Sequence, residues 1–427
     1  MEPQLSTKPK PSPSRIWLLR LALMLGVPAL LLGLAEGAFR LAGYGHPTSF
    51  FVASPHHENG ALIENAKFAW RFLPPTLARA SQPTLLRREK SPGTTRVFMF
   101  GESAAEGDPE PAFGMPRLLE VLLEGRFPGR DFEVINAAVT AINSHAILPI
   151  ARECAGLDGD FWVLYIGHNE VMGPFGAGTV FGRKTPPLST LRLGLSLKQF
   201  RLGQWVASFS DSTENADGTQ WKGMGMFLDQ QLRADDPQLK WVYDSHNKNL
   251  SDILAESRQA GVHVVMSTVA SNLRDSAPFA APDAVEQFQL ARSLEAEGKT
   301  GEAHSHYVRA RDLDALRFRA DSKLNAITQA LGQAGSGNVT FIDAQAALDA
   351  QSPSGIAGRE TFYEHVHFTF EGNHRLAKLF AEGIASRLAS GGDKPSGPWL
   401  TSGECAGRLA YTDWDRGVVL ADRKSVV

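Results

Sequence analysis

The sequence predicts a three-layer α/β/α fold with a parallel sheet of about five strands, preceded by one membrane-spanning helix. From Thr95 onward, short runs rich in Val, Ile and Phe alternate with longer helical segments, a pattern typical of a parallel sheet covered by helices. About twenty apolar residues near the N-terminus have the length that a helix needs to cross a bilayer. With 427 residues, 43% of them hydrophobic, the chain is long enough for one large domain or two smaller ones.

The composition excludes several classes of protein. The 43 Lys and Arg residues against 46 Asp and Glu give a formal charge of -3, and a nucleic-acid binder would normally carry a basic excess, so no nucleic-acid partner is predicted. The two cysteines, Cys154 and Cys405, stand in no CxxC or Cys/His cluster. This excludes a zinc finger, an iron–sulfur protein and a disulfide-rich scaffold, and no metal or other cofactor is predicted.

The N-terminus predicts a membrane anchor. Residues 1–15 are polar and cationic and are interpreted as a cytoplasmic tail, and residues 16–36 as a single-pass transmembrane helix. Its one basic residue, Arg20, lies near one end, where the side chain can reach lipid headgroups. Because the cationic flank precedes the apolar run, we expect the rest of the chain on the periplasmic or extracellular side of the inner (plasma) membrane.

A cleaved signal peptide is the alternative for the same segment. Small residues at Ala35, Gly37 and Ala38 favour it, whereas Glu36 disrupts the small-x-small cleavage pattern, so a retained anchor is preferred. A location outside the cytoplasm would also permit a disulfide between the two cysteines. Two separate buried thiols are the other possibility.

Five strand candidates follow a connector, residues 37–94, that is rich in aromatic residues and proline and has no clear period. Each candidate is a short apolar run bounded by Gly, Asp or Asn: Arg96–Phe100, Phe132–Ala137, Phe161–Ile166, Val262–Thr268 and Val339–Ile342. Helical patterns accompany them at Pro116–Phe127, His145–Ala155, Leu239–Ala260 and Gly372–Ala389. Together they predict one domain over residues 95–390, followed by a C-terminal tail over residues 391–427.

An insertion over residues 283–333 resembles one tetratricopeptide-type helical hairpin. Small and aromatic residues recur on both sides of a turn at Gly298, namely Phe288, Ala291, Leu294, Ala303, Tyr307 and Ala310. Such repeats need several copies to form a solenoid, and the sequence contains one. A rim element at the ligand-binding edge of the sheet is therefore predicted rather than a partner-binding array.

Polar residues follow the predicted strands, where ligands bind in parallel α/β folds. Ser103 follows the first strand in Gly101-Glu102-Ser103-Ala104, at a strand-to-helix turn that would expose its hydroxyl. Ala138 follows the second strand, and Asn169 in Gly167-His168-Asn169-Glu170 follows the third. A helix cap and ordinary turn chemistry are the structural alternatives for the serine and the asparagine.

A carboxylate and an imidazole precede the last helix. Glu364 and His367 are three residues apart, so the carboxylate could orient the imidazole and the imidazole could act as a general base. Asn272 and Arg274, after the fourth strand, are weaker candidates for binding substrate, and a surface ion pair is the alternative for the arginine.

The order of these motifs resembles the SGNH (GDSL-type) hydrolase family over roughly Thr95 to Ala389, with the hairpin as an insertion. The resemblance implies a flavodoxin-like fold with Ser103 as nucleophile, His367 as base and Glu364 as the acid that orients it. It also implies an oxyanion hole made by the N–H groups of Ser103 and Ala138 and the Asn169 amide.

The chain departs from the family pattern at four positions. GDS is GES here, GxND is GHNE, DxxH is ExxH, and the family's glycine is Ala138. An alanine keeps the backbone donor, and glutamate serves as the third triad member on other hydrolase folds. Glu102 and Glu170 are interpreted as carboxylates that brace loops.

The leading functional hypothesis is an esterase of the cell envelope that cleaves short acyl esters on a glycan or a similar small ester. A glycan O-acyltransferase with a partner acyl donor is the alternative with the same residues. Zinc-dependent hydrolysis is a further alternative, with candidate ligands His168, Glu170, His365, His367 and His374. The last alternative is an anchored, non-catalytic scaffold protein that uses the helical hairpin.

Overall fold

The computed structural model describes residues 12–56, 60–214, 221, 223–335 and 337–426. Most of the predicted cytoplasmic tail, residues 1–11, therefore lies outside the described residues. The chain forms two compact units. The smaller comprises residues 1–47 and 189–216, and the larger comprises residues 48–188 and 217–427.

The strands and helices are numbered in chain order. The strands are β1 (Phe51–Ala53), β2 (Ala61–Glu64), β3 (Leu85–Arg87), β4 (Thr95–Gly101), β5 (Phe132–Asn136), β6 (Phe161–Tyr165), β7 (His263–Ser267) and β8 (Val339–Ile342). The helices are α1 (Pro13–Leu41), α2 (Ser103–Glu106), α3 (Met115–Arg126), α4 (Ser144–Cys154), α5 (Leu188–Leu197), α6 (Arg201–Glu214), α7 (Gln238–Gln259), α8 (Pro282–Ala296), α9 (Thr300–Leu313), α10 (Ser322–Ala334), α11 (Ala344–Ala350), α12 (Phe370–Ser390), α13 (Ser402–Arg408) and α14 (Asp413–Val426).

The larger unit is built on a five-stranded sheet in the order β5-β4-β6-β7-β8, and every pair in it is parallel. This is the flavodoxin-like order, in which chain connections run to opposite sides of the first strand. Strands β4 and β6 are adjacent, and Gly101 pairs with Tyr165 where both end. The predicted fold class is confirmed, and the five predicted strands and the four helices predicted to accompany them match the observed ones to within one or two residues.

The apolar faces of the sheet explain its stability. All seven residues of β4 and all five of β6 are buried, as expected for central parallel strands covered on both faces. On one face, α3 and α12 contribute a core that includes Leu119, Leu122, Phe380 and Ile384, each fully buried. Burying side chains of this size contributes roughly 1.5–3 kcal/mol each.

The segment predicted as a connector contains a small antiparallel sheet in the order β1-β2-β3. Its strands are three or four residues long, too short to show an alternating pattern in the sequence. The Glu153 carboxylate accepts hydrogen bonds from the backbone N–H groups of Phe50 (2.8 Å) and Phe51 (3.2 Å). The ring of Phe50 also packs edge-on against Phe68, with the centroids 5.1 Å apart.

The predicted helical hairpin corresponds to α8 and α9, with α10 following. Phe288 and Tyr307 form the contact between the two helices, with ring centroids 5.3 Å apart, and the Tyr307 hydroxyl donates to Glu295 at 2.8 Å. Ala291 and Ala303 are fully buried in the same cluster. The small residues permit close approach of the two helices, and the resemblance to a tetratricopeptide-type hairpin stays a prediction.

The predicted tail after residue 391 contains α13 and α14. Cys405 is buried in the main core, and Tyr411 stacks on Phe370 with a centroid distance of 4.5 Å. Cys154 and Cys405 are separate, buried free thiols. Burial raises the pKa of the Cys405 thiol to about 11 and that of Cys154 well above its ordinary value, so neither is an activated nucleophile.

In the smaller unit, α1 contains one stretch, Ser14–Leu41, that is long and apolar enough to cross a membrane. A signal sequence near an N-terminus has the same length and composition. Proline stands inside the helix at Pro28, which membrane spans tolerate.

Candidate active site

Ser103 lies where β4 turns into α2, at the carboxyl edge of the sheet. A Cβ atom at Gly101 would collide with Ala105 and with the carbonyl of Tyr165, so only glycine fits there. The short helix ends at Gly107, whose φ of 104° lies in the left-handed region that favours glycine. These two glycines create a sharp turn that places the half-buried Ser103 at the edge where β4 and β6 end.

Ser103, His367 and Glu364 come together in one hydrogen-bonded chain. The Nε2 atom of His367 lies 2.8 Å from the Ser103 hydroxyl, and its Nδ1 atom lies 2.8 Å from the Glu364 carboxylate. Because Nδ1 faces a carboxylate, we assign its proton there, which leaves the Nε2 lone pair to accept from the serine hydroxyl. The same carboxylate oxygen accepts the backbone N–H groups of Val366 (3.1 Å) and His367 (2.6 Å), which orients it.

Within the triad, the Glu364 carboxylate and the His367 imidazole stabilise each other's charged forms. Burial by itself would lower the pKa of His367, but the Glu364 carboxylate outweighs it, so the pKa lies above its ordinary value. For Glu364, burial would raise the pKa, whereas His365 and His367 hold it well below the usual range. The carboxylate is therefore ionised and favours a protonated imidazole.

His365 is a second partner of the Glu364 carboxylate, through its Nδ1 atom. Its ring packs edge-on against Phe279 and Phe318, with centroid distances of 5.2 and 6.0 Å. From the sequence, His365 was a candidate only as a zinc ligand. The position of His365 next to Glu364 in the sequence was the one indication that the two side chains could be in contact.

The predicted oxyanion donors surround the same edge but are engaged in this structure. The Ala138 N–H donates to the side-chain oxygen of Asn136 at 3.2 Å, and the Asn169 amide donates one hydrogen to the carbonyl of Ile142 at 3.1 Å. The Asn169 amide carries a second hydrogen. Ser103 is the first residue of α2, so its N–H takes no part in the hydrogen bonding of that helix.

Glu102 braces the loop that carries Asn169. Its carboxylate accepts the backbone N–H groups of Gly167 (3.2 Å), His168 (2.8 Å) and Asn169 (3.1 Å). Burial, followed by the nearby charge of Glu170, raises the pKa of this carboxyl, and the three N–H donors act in the opposite direction. The residue thus couples the serine turn directly to the asparagine loop.

Glu170 braces the other side of that loop. It accepts the backbone N–H and the hydroxyl of Ser144, both at 2.8 Å, and lies 3.4 Å from His246. Burial would raise the pKa of Glu170, but His246 and the Ser144 N–H bring it below its ordinary value. The loop after β6 is thereby tied to α4 and α7.

A carboxyl pair next to Ser103 was not predicted. The Thr140 hydroxyl lies 2.7 Å from Glu106 and 2.5 Å from Asp108. One hydroxyl donates a single hydrogen, so the second contact requires a proton on one of the two carboxyls. Burial and then the charge of Asp108 raise the pKa of Glu106 to about 7, and both acidic residues raise the pKa of His367. The spacing of Ser103 and Glu106, one helical turn, was the one signal in the sequence that a carboxyl lies near the serine.

The two weaker candidates support the loop that carries the triad. The Asn272 side chain donates to the carbonyl of Glu364 at 2.9 Å, and its backbone N–H donates to the carbonyl of His365 at 2.9 Å. Arg274 forms ion pairs with Asp275 and Glu360, as the surface ion-pair alternative expected. Contact of either residue with substrate stays a prediction.

The five candidate zinc ligands do not converge. Glu170, His365 and His367 are engaged as described above, His374 contacts the carbonyl of Leu400 at 3.0 Å, and His168 accepts the N–H of Ala320 at 3.3 Å. Burial, then His365 and His367, lower the pKa of His168 to about 3. Within the part of the chain that the structure describes, no group of three or more His, Cys, Asp or Glu residues is placed to hold a metal ion.

The sheet order and the placement of the motifs at its carboxyl edge define an α/β protein with a Ser-His-Glu site at the topological switch point, between β4 and β6. The chain has the flavodoxin-like strand order that the resemblance to SGNH hydrolases implied.

Comparisons with known proteins give distant matches. No family model matches the chain, and no curated protein matches it. Among solved structures, it is similar to a GDSL-like lipase from Bacteroides thetaiotaomicron at 12% identity, with 69% of this chain and 89% of that chain covered and a TM-score of 0.33. It is also similar to a lipase/acylhydrolase from Enterococcus faecalis at 14% identity, with 71% and 100% covered and a TM-score of 0.36. An acetyl xylan esterase matches at 15% identity, with 69% and 99% covered and a TM-score of 0.34. Similarity this distant carries no argument about the chemistry of the site, which rests on its geometry.

Proposed function

We propose that the protein is a membrane-anchored serine esterase that hydrolyses short acyl esters, with an envelope or extracellular glycan as the acylated substrate. The observation that carries the proposal is the continuous chain from the Ser103 hydroxyl through His367 to Glu364, with both links at 2.8 Å. A serine hydroxyl is a weak nucleophile until an adjacent base can take its proton. This arrangement supplies the base and the carboxylate that stabilises it once protonated.

The reaction would proceed through an acyl-enzyme. The Ser103 oxygen attacks the ester carbonyl while its proton passes to His367 Nε2, and the N–H groups of Ser103 and Ala138 with the Asn169 amide stabilise the oxyanion. Protonated His367 then gives this proton to the departing alkoxide. A water molecule, deprotonated in turn by His367, attacks the acyl-enzyme, and His367 returns this proton to the Ser103 oxygen as the acid leaves.

The proposed membrane anchor is α1, which is long and apolar enough to cross a bilayer. The cationic residues before it favour an active site on the periplasmic or extracellular side. Transfer of the acyl group to a sugar hydroxyl would use the same residues, with a partner protein supplying the donor. We favour hydrolysis because it needs no partner.

Labelling with a fluorophosphonate tests the catalytic proposal. Only an activated serine reacts with this probe, so the wild-type protein should be labelled and Ser103→Ala should not. Ser271→Ala, at a buried serine outside the triad, is the control and should retain labelling. Failure of the wild-type protein to react would contradict the esterase proposal and favour the scaffold or metal alternatives.

A further inference from the structure

Helices α5 and α6 present an apolar face to solvent. Leu193 and Leu197 lie four residues apart on one side of α5 and are 61% and 52% exposed. Phe200, in the short link between the helices, is 53% exposed, and Val206 on α6 is 56% exposed. Single exposed apolar residues are normal, but a run of them over two consecutive helices marks an interaction surface.

Most of this segment carries only positive charge. Between Leu188 and Phe209 the sequence contains Arg192, Lys198 and Arg201 and no acidic residue, and Asp211 and Glu214 follow at the end of α6. Apolar side chains combined with cations are typical of helices that lie in the headgroup region of a membrane with anionic lipid. The same combination is unfavourable on a surface that faces only water.

The segment is continuous with the end of α1, in the same compact unit. The ring of Trp205 lies 5.6 Å from that of Phe39, and the Leu202 N–H donates to the Glu36 carboxylate at 2.9 Å. Gln204 exchanges two hydrogen bonds of 3.0 Å with the backbone of His46. These contacts fix α6 beside the last turn of α1.

The length of α1 places that turn at the membrane surface. A stretch of 28 residues, Ser14–Leu41, has a helical length of about 42 Å, whereas the hydrocarbon core is about 30 Å thick. The end near Phe39 therefore reaches the headgroup region when α1 spans the bilayer. Trp and Tyr prefer this level, and Trp205 and Tyr44 both adjoin Phe39.

We propose that α5 and α6 form a membrane-surface element that inserts its apolar face into the lipid headgroup region beside the exit of α1, with anionic lipid as its partner. The proposal rests on the membrane anchoring in the proposed function and is independent of the esterase chemistry. Two contacts with the bilayer, a span and a surface element, would fix the orientation of the smaller unit, which a single span leaves free to rotate.

Depth-dependent quenching in the full-length protein tests this proposal. Leu197→Cys and Val206→Cys are each labelled with an environment-sensitive nitrobenzoxadiazole probe, since Cys154 and Cys405 are buried and react poorly. The protein is reconstituted in phosphatidylcholine vesicles with about one fifth phosphatidylglycerol. Both probes should lose more emission with lipids brominated near the headgroup than with lipids brominated near the chain end.

Leu25→Cys, within the apolar part of α1, separates this proposal from the anchor itself. Its probe should be quenched more by bromine near the chain end. Quenching at Leu25→Cys without quenching at the other two positions would overturn the surface element and leave the anchor standing. A blue shift at positions 197 and 206 without quenching would instead indicate that a second copy of the chain covers the face. Loss of quenching at all three positions would contradict both the anchor and the proposal.

A charge introduced into the face provides the second measurement. Leu193→Glu, with the probe at position 206, should lose the headgroup-level quenching, because a carboxylate opposes insertion beside anionic lipid. Leu193→Met preserves an apolar side chain of similar size and should retain it. Unchanged quenching in the glutamate variant would contradict the proposal, and because Leu193 is exposed, circular dichroism should show the same fold in both.

Discussion

The Nε2 atom of His367 lies 2.8 Å from the Ser103 hydroxyl, although 264 residues separate the two in the chain. The serine is held by the turn after β4, and the histidine by a loop that Asn272 fastens from the end of β7. The contact between Ser103 and His367 therefore depends on the whole sheet. A change in the turn after β4 or in the Asn272 hydrogen bond should lower activity without removing a catalytic group.

Removing the nucleophile or the base should abolish most of the activity. Ser103→Ala and His367→Ala should each lower kcat by about 10³-fold or more, and the double variant should cost little beyond either, because members of a triad act as a unit. Glu364→Ala should cost less, since His367 would keep its contact with the serine. Steady-state kinetics with a short aryl ester provides the measurement, and additive losses in the double variant would contradict a shared mechanism.

The pH profile of kcat/KM should fall on its acidic side (the acid limb), at a pH above the ordinary pKa of histidine. The base must be neutral to accept the serine proton, so kcat/KM falls as the pH drops through the pKa of His367. Because Glu364 raises that pKa above about 6.5, activity should begin to decline at a higher pH than for an unperturbed imidazole. Glu364→Gln should move the limb to lower pH, and an unchanged limb in this variant would exclude His367 as the titrating group.

The carboxyl pair beside Ser103 should contribute to the same limb. Glu106→Gln combined with Asp108→Asn removes the negative charge of this pair, which raises the pKa of His367, so the limb should move to lower pH. Each single variant should shift it less than half as far, because one charged carboxyl then remains beside His367. Single variants that each shift the limb by half of the double-variant shift would show that both carboxyls are charged and share no proton.

Glu102 should be important for stability as well as for rate. Glu102→Ala leaves three buried backbone N–H groups without their acceptor, and each such loss costs roughly 1–3 kcal/mol. Thermal unfolding should show a clear decrease in Tm, with a fall in kcat as the Asn169 loop loosens. Glu102→Gln retains one carbonyl acceptor and should lie between the wild type and the alanine variant. Equal Tm values for all three would show that these hydrogen bonds contribute nothing.

The loop after Asn169 should restrict the acyl group to short chains. This loop follows a proposed oxyanion donor, and its Val171 and Met172 side chains are buried in a cluster with Leu232 and Leu239. Side chains that are committed to a core cannot move aside for a long acyl chain. Acetyl esters should therefore be preferred over long-chain esters by about tenfold or more. A series of aryl esters in detergent decides this, and a maximum at long chains would indicate a lipase or thioesterase.

Local patterns in the sequence were sufficient to predict the strands of the sheet, the helices that cover it and the main motifs. Buried strands such as β4 and β6 are continuous apolar runs, and the polar residues at their ends stand at known positions relative to the turn. For this reason Ser103 and Asn169 could be identified as candidates from the sequence, whereas Glu364 and His367 were identified from their spacing before the last helix. The structure joins the serine, the histidine and the glutamate by two contacts of 2.8 Å.

Contacts between distant segments could not be derived in this way. Neither the second partner of Glu364 nor the carboxyl pair at Thr140 leaves a periodic trace, because each depends on where separate loops meet at the edge of the sheet. The same applies to the hydrogen bond from the Asn272 side chain to the carbonyl of Glu364, which supports the loop that carries the triad. Hydrophobic periodicity reports which face of an element is buried, whereas a hydrogen-bond partner is determined by the packing of elements that are far apart in sequence.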